Sequence, residues 1–309
     1  MKMKANDWIL GLDIGGTNLR FGLVDHSCCL EGFEIYPSSL LGNGGCLASL
    51  ERMIRDYCSR HLDGAMPRAV SAGFPSTIDR EKKIVLSTPN LPGMNHLPVV
   101  GTLKKALHIP VFIDRDVNLL LLNDIRHFAL PQAGVIIGCY FGTGLGNAIC
   151  INGAFLTGKN GVAGELGHVP VIGCRRICGC GNEGCLETLA SGKYLLELQQ
   201  RLYPSESVAE MFLRHREDQV LQAYVDMLAV SVATEINILD PDEVIIGGGV
   251  PHMSGFPWEL LRERILFRSR KPYPSQNLEI LLSADHQESG VLGAGLAAWN
   301  KLERRKNTQ

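Results

Sequence analysis

The sequence predicts a two-domain α/β protein, and three observations carry that prediction. Short β-branched runs alternate with longer stretches of helical periodicity, the pattern of strands interleaved with helices. A strand, glycine/threonine turn, strand unit occurs twice, once in each half. The copies are Leu12-Asp13-Ile14-Gly15-Gly16-Thr17-Asn18-Leu19-Arg20-Phe21-Gly22 and Tyr140-Phe141-Gly142-Thr143-Gly144-Leu145-Gly146-Asn147-Ala148-Ile149. Such a repeat suggests two similar domains facing a common cleft. Two unrelated hairpins is the plainer alternative, since glycine-rich turns are common. The length, 309 residues, suits roughly two domains.

The N-terminal half opens with predicted strands at 9–13 and 19–24, flanking the first turn. A helix follows at 45–61, where Leu47, Leu50, Met53, Ile54 and Tyr57 mark one amphipathic face. Strands at 69–73 and 111–114 lead to a helix at 116–130. Strands at 135–141 and 147–151 flank the second turn. Helices at 187–202 and 218–239, strands at 243–246 and 278–282, and a helix at 290–302 complete the pattern. The polar tail 301–309 is expected to fray. No low-complexity tract separates domains, so a boundary is expected at a short connection near Asp116.

Composition narrows the functional classes. Hydrophobic residues make up 45% and charged residues 20%, which excludes disordered and fibrous chains. A formal net charge of −2 leaves no electrostatic footprint for nucleic acid or an acidic membrane. Glycine is in excess, at 34 of 309 residues, as expected for tight turns and close backbone approaches. The run before Asp13 is too short for a signal-peptide apolar core, so the ten cysteines are expected to be reduced and the protein cytoplasmic. Residues 128–158 carry no charge over 31 positions, long enough to span a bilayer. Seven glycines, Pro131, Gln132 and Asn147 make two buried strands around a turn the better reading.

The turns suggest phosphate chemistry. Gly15 and Gly16 let backbone N–H groups crowd an anion, Thr17 and Asn18 add side-chain donors, and Asp13 is placed to hold a hydrated Mg²⁺. Gly142, Thr143, Gly144 and Gly146 would supply a second clamp. Neither turn matches the Walker or dinucleotide patterns. A third, at Gly247-Gly248-Gly249 after a strand, would let a flat base lie close to the backbone at Gly248 and Gly249.

His168, Cys178, Cys180 and Cys185 fall within 18 residues, with glycines between them. A Cys₃His set is a closed, structural zinc site with no open position for chemistry, which argues against a zinc-dependent hydrolase. The alternative is three ordinary reduced thiols. Cys174 is a more distant competitor as ligand, and the other six cysteines are expected to pack as small apolar residues. Asp116 falls where a buried strand stops and a helix starts, which suits a general base or simply a helix N-cap; sequence chemistry leaves both open.

Six motifs then stand in the order seen in ROK sugar kinases. They are Asp13-x-Gly-Gly-Thr17, Asn90-Leu-Pro-Gly93, Asp116-x-Asn118, Gly142-Thr-Gly-x-Gly146, Ala163-Gly-Glu165-x-Gly-His168 and Cys178-x-Cys180-Gly-x-x-Gly-Cys185-x-Glu187. The resemblance covers essentially the whole chain. It implies an actin-like, ribonuclease H-like ATPase fold, with residues 290–309 returning to a first domain of residues 1–115. Residues 116–289 would form the second domain. It implies ATP and Mg²⁺ for catalysis, structural Zn²⁺, and Asp116 as the base that takes the proton of a hexose 6-hydroxyl. Asn90, Arg115, Glu165, His168 and Glu187 would contact the sugar, with His168 also on zinc. Two positions depart from the family: Arg115 replaces an Asn, and Met94 replaces a Trp. Within the family the chain is most similar to D-allose kinases, which implies D-allose as substrate, with glucose, mannose and N-acetylmannosamine as alternatives. A homodimer is expected, with no nucleic-acid or membrane partner. The family also holds sugar-sensing repressors with an N-terminal helix-turn-helix. Only about seven residues precede the first strand here, and Asp116 is present, so the kinase reading is preferred.

Overall fold

The structure is a computed structural model that describes residues 4–42, 45–88, 91, 93–284 and 286–306. The chain divides into two compact units. Unit 1 comprises Met1–Leu130, Thr157–Val162 and His286–Gln309, and unit 2 comprises Pro131–Leu156 and Ala163–Asp285.

Unit 1 is built on a five-stranded sheet of β1 (Trp8–Ile14), β2 (Asn18–Asp25), β3 (Leu30–Pro37), β4 (Ala69–Phe74) and β7 (Val111–Arg115), in the order β3-β2-β1-β4-β7. β1 pairs antiparallel with β2 and parallel with β4, and β4 pairs parallel with β7. The central strand β1 is buried from Trp8 to Leu12, which is why it reads as a continuous apolar run. A two-stranded hairpin, β5 (Thr77–Ile78) and β6 (Val85–Ser87), stands apart from the sheet. α1 (Cys46–His61) buries Leu50, Ile54, Tyr57 and Cys58, while Leu47 and Met53 of the predicted face are only partly covered. α2 (Val99–Leu107) and α3 (Asp116–His127) follow. α3 stops three residues before the predicted end, because the left-handed Ala129 (φ 51°) turns the chain and Leu130 N–H closes on the Ile125 carbonyl.

Unit 2 repeats the topology. Its sheet holds β8 (Val135–Phe141), β9 (Leu145–Ile151), β10 (Ala154–Phe155), β11 (Glu243–Gly247) and β12 (Glu279–Leu282), in the order β10-β9-β8-β11-β12. β8–β9 is antiparallel and β8–β11–β12 parallel, so the duplicated hairpins occupy equivalent places in two equivalent sheets. The charge-free run 128–158 holds β8, β9 and β10, and among the described residues no helix is long and apolar enough to cross a membrane. The helices are α4 (Gly192–Leu202), α5 (Met211–His215), α6 (Gln219–Leu239) and α7 (Trp258–Arg268). The predicted helix at 187–202 is interrupted: Leu186–Thr188 forms one 3₁₀ turn, and α4 starts only after Ser191, whose Oγ caps it by accepting the Tyr194 N–H at 3.3 Å.

The last helix, α8 (Ser289–Lys306), belongs to unit 1 and packs on β1, β2, β4 and α3. Gly293 makes this possible: a Cβ there would fall 2.0 Å from the Leu119 carbonyl oxygen of α3. Leu119, Ala294 and Ala297 form the apolar seam between the two helices. With that seam α3 falls within the Met1–Leu130 segment of unit 1.

Candidate active site and metal centre

In unit 1 the candidate residues gather at the carboxyl ends of the parallel strands. The registers Asp13↔Gly73 and Gly73↔Asp114 set Asp13 and the end of β7 at one level, about 10 Å apart across three strands. Ligands of open α/β sheets collect at that edge. Asp13 Oδ2 accepts from Arg20 at 3.0 Å, and burial pushes its carboxyl above the usual range against the pull of that guanidinium. The β1–β2 turn is closed by the Gly15 N–H on the Asn18 carbonyl, and Ser38 Oγ donates to the Gly15 carbonyl at 2.6 Å. Gly16 and Thr17 stand exposed at its tip, with Gly15 and Asn18 half-buried.

Asp116 is the first residue of α3, half-buried, and the cap position belongs to Arg115. Asp116 Oδ1 accepts the adjacent Val117 N–H at 2.8 Å, so its carboxylate sits against the first turn of the helix. Around it the junction is held by Asp114, 6% exposed, whose Oδ1 accepts from Asn118 Nδ2 at 2.8 Å and from the Arg115 N–H at 2.9 Å. Asn90 lies outside the described residues. Met94 is fully buried in the unit 1 core, not on an open wall.

In unit 2 two glycine turns emerge side by side, since Tyr140 of β8 pairs with Gly247 of β11. Gly248 (φ 87°) is required by the fold: its Cβ would lie 2.6 Å from the Phe141 carbonyl. The open positions are Gly142 and Gly249, where a Cβ would meet nothing within 4 Å, a cradle suited to a close-lying phosphate or base. Gly144 faces Glu187, whose Oε2 accepts the Leu145 N–H at 2.9 Å. One oxygen of that predicted sugar reader thus holds the turn, and Gly146 is tied into β9 opposite Tyr140. A small cavity of about 60 Å³ beside Thr143 is lined by Arg176, Glu187 and Lys193, two basic residues that sequence reasoning passed over.

The Cys₃His set is assembled. Ligand atoms of His168, Cys178, Cys180 and Cys185 all lie within 4.8 Å of one another. Cys180–Cys185 and Cys178–His168 Nδ1 are each 3.7 Å apart. A tetrahedral zinc has edges of about 3.8 Å between sulfurs and about 3.6 Å between sulfur and nitrogen, so the donors fit that ion. Backbone bridges bring them together: Pro170↔Cys185, Ile177↔Glu183 and the Cys178 N–H on the Asn182 carbonyl. Burial pushes the Cys185 thiol up to about 12 and raises Cys178, while the Asn182 N–H lowers Cys180. With Nδ1 on the thiols, His168 Nε2 faces Glu165 Oε2 at 3.5 Å, which orients the ring. Cys174 sits instead against Thr188 Oγ1 at 3.7 Å.

Glu235 of α6, 5% exposed, was not singled out by sequence. Its Oε2 accepts from Asn147 Nδ2 at 2.7 Å and faces the Cys139 thiol at 3.4 Å. Burial raises its carboxyl to about 7, the two donors opposing. An acid with a raised folded pKa loses stability as pH climbs from its unfolded value of 4.5 toward 7, by about 3 kcal/mol. Glu235→Gln is therefore expected to melt like the parent at pH 5 and several degrees higher at pH 8 in a thermal denaturation series.

The pattern of the ROK family matches residues 9–301. A glucokinase of Thermotoga maritima is 30% identical over 308 residues, covering 93% of this chain and 95% of that protein. An N-acetyl-D-glucosamine kinase of Shigella flexneri serotype 5b is 30% identical over 264 residues, covering 80% and 84%. The crystal structure of a ROK family glucokinase from Streptomyces griseus with glucose and AMPPNP superposes with a TM-score of 0.77 at 24% identity, covering 94% of this chain and 98% of that one. Its shared architecture is the actin-like ATPase fold. Matched along nearly its whole length, the chain belongs to the ROK family.

Proposed function

We propose that this chain is an ATP-dependent hexose kinase that phosphorylates the sugar 6-hydroxyl, with D-allose as its substrate. The observation that supports the reading is Asp116 at the carboxyl edge of the unit 1 sheet, at the start of α3 and two residues past Asp114, the β7 position level with Asp13. The named relatives at about equal identity act on different hexoses, which supports the reaction class and leaves the sugar to the pocket.

In this reading Asp116 accepts the proton of the 6-hydroxyl as that oxygen bonds to the γ-phosphorus and the bond to the β-phosphate oxygen breaks, releasing ADP. Phosphoryl transfer has a loose transition state, so positioning and charge neutralisation supply most of the rate. Gly15, Gly16, Thr17 and Asn18, with Gly142, Thr143, Gly144 and Gly249, hold the nucleotide through N–H and hydroxyl donors. Asp13 would hold Mg²⁺, whose charge offsets that of the phosphates. Glu165, His168 and the remaining oxygen of Glu187 read ring hydroxyls, and Asn90 and Arg115 complete the sugar contacts. Zinc at the Cys₃His set would keep His168 in one orientation. Arg115, half-buried beside Asp116 where the family carries Asn, favours a sugar other than glucose.

A coupled ADP-release assay over allose, glucose, mannose, N-acetylglucosamine and N-acetylmannosamine tests both levels. The expected result is the highest kcat/KM on allose with a 6-phosphate product. Preference for another sugar removes allose, and turnover of none removes the kinase.

A further inference from the structure

The β5–β6 hairpin carries a lysine that the reaction above does not use. Its turn is built around Asp79, whose carboxylate accepts N–H bonds from Glu81 at 3.2 Å, Lys83 at 2.7 Å and Ile84 at 2.5 Å. The Lys82 N–H donates to the Asp79 carbonyl at 2.8 Å. Lys82 itself has φ 55°, a left-handed conformation that favours glycine or asparagine over a long side chain. A non-glycine residue kept there points to a task for its side chain. That side chain turns inward, 24% exposed, and its Nζ meets Asp114 Oδ2 at 2.5 Å. The other oxygen of Asp114 takes Asn118 Nδ2 and the Arg115 N–H. One buried carboxylate therefore gathers donors from the residue before Asp116, from the residue two after it, and from a separate hairpin.

We propose that Lys82 is a positioning residue for phosphoryl transfer: through Asp114 it fixes the β7–α3 junction, and with it the carboxylate of Asp116. The proposal rests on the reading that Asp116 takes the 6-hydroxyl proton. Proton transfer and in-line attack are sensitive to displacement, and about 1 Å of misplacement costs up to about 100-fold in rate. Without the ammonium, Asp114 is left with the Asn118 amide and the Arg115 N–H as donors, and the junction is free to shift toward water.

The test is steady-state kinetics on Lys82→Met and Lys82→Arg in the full chain, with the folded fraction followed by circular dichroism. The expected result for Lys82→Met is kcat lower by about 10- to 100-fold with KM for sugar and ATP changed less than about threefold. Lys82→Arg, which keeps charge and reach, is expected to return to within about threefold of the parent. If Lys82→Met does not fold, Lys82→Gln is read instead; its amide falls about one bond short of Asp114, and at least a fivefold loss of kcat is expected. A folded variant with parental kcat overturns the proposal, as does a loss that only follows the unfolded fraction. Asp116→Asn measured alongside separates the two levels. An inactive Asp116→Asn with a fully active Lys82→Met removes this inference alone, and an active Asp116→Asn removes the reading beneath it as well.

Discussion

Asp116→Asn is expected to lower kcat by about 10²- to 10⁴-fold while leaving KM for ATP and sugar within a few-fold of the parent. The amide is nearly isosteric and can still accept from the Val117 N–H, so α3 should start at the same residue and the thermal midpoint should hardly move. What it cannot do is take a proton from the attacking hydroxyl. The measurement is a steady-state assay paired with a melting curve. A variant that melts like the parent and keeps more than a tenth of its kcat would show that Asp116 is not the base.

The second large effect concerns the candidate metal centre at His168, Cys178, Cys180 and Cys185. Purified protein is expected to carry about one zinc per chain, and stripping it with a strong chelator should cost about 4 kcal/mol or more, or about 10 °C in the melting of a unit this size. The reason is local. The segment from Val169 to Cys185 holds few buried apolar side chains, with Ile172 and Ile177 at 102% and 72% exposure, so beyond its backbone bridges a bound ion would be its main tie. Cys178→Ser should reproduce the loss without chelator. Acid should weaken the site, because the buried Cys185 and Cys178 thiols hold their protons tightly and the metal must displace them. Since His168 and Glu165 are oriented from the same cluster, KM for the sugar should rise more than kcat falls. Metal analysis, calorimetry with and without chelator, and kinetics on the stripped protein check these outcomes.

The Cys/His cluster was legible because its four side chains are local in sequence and held by turns whose glycines are visible. The sheet centres were legible for a different reason: β1, β8 and β11 are buried on both faces and announce themselves as apolar runs. Edges were not. β3 carries Glu31 and Glu34 on a half-exposed strand, α2 contains Gly101, and α7 buries only Leu261 and Ile265, too little to set a period. In the site, sequence showed that Glu187 is a carboxylate and could not show that the Leu145 N–H, 42 residues away, would claim one of its oxygens. Gly248 read as a ligand contact and is explained by the Phe141 backbone. Lys82 stands in the charged run Arg80-Glu81-Lys82-Lys83, which reads as a solvated surface until the left-handed turn is seen to send one of its four side chains inward.

The placement of α8 has a bearing on biosynthesis. Everything unit 2 needs has been made by Asp285, whereas unit 1 still lacks the helix that closes against β1 and α3. A ribosome delivering this chain from its N-terminus thus finishes the later-encoded unit before the earlier one can complete its core. The strands of unit 1 must wait, partly uncovered, until α8 has followed the whole of unit 2 out of the ribosome.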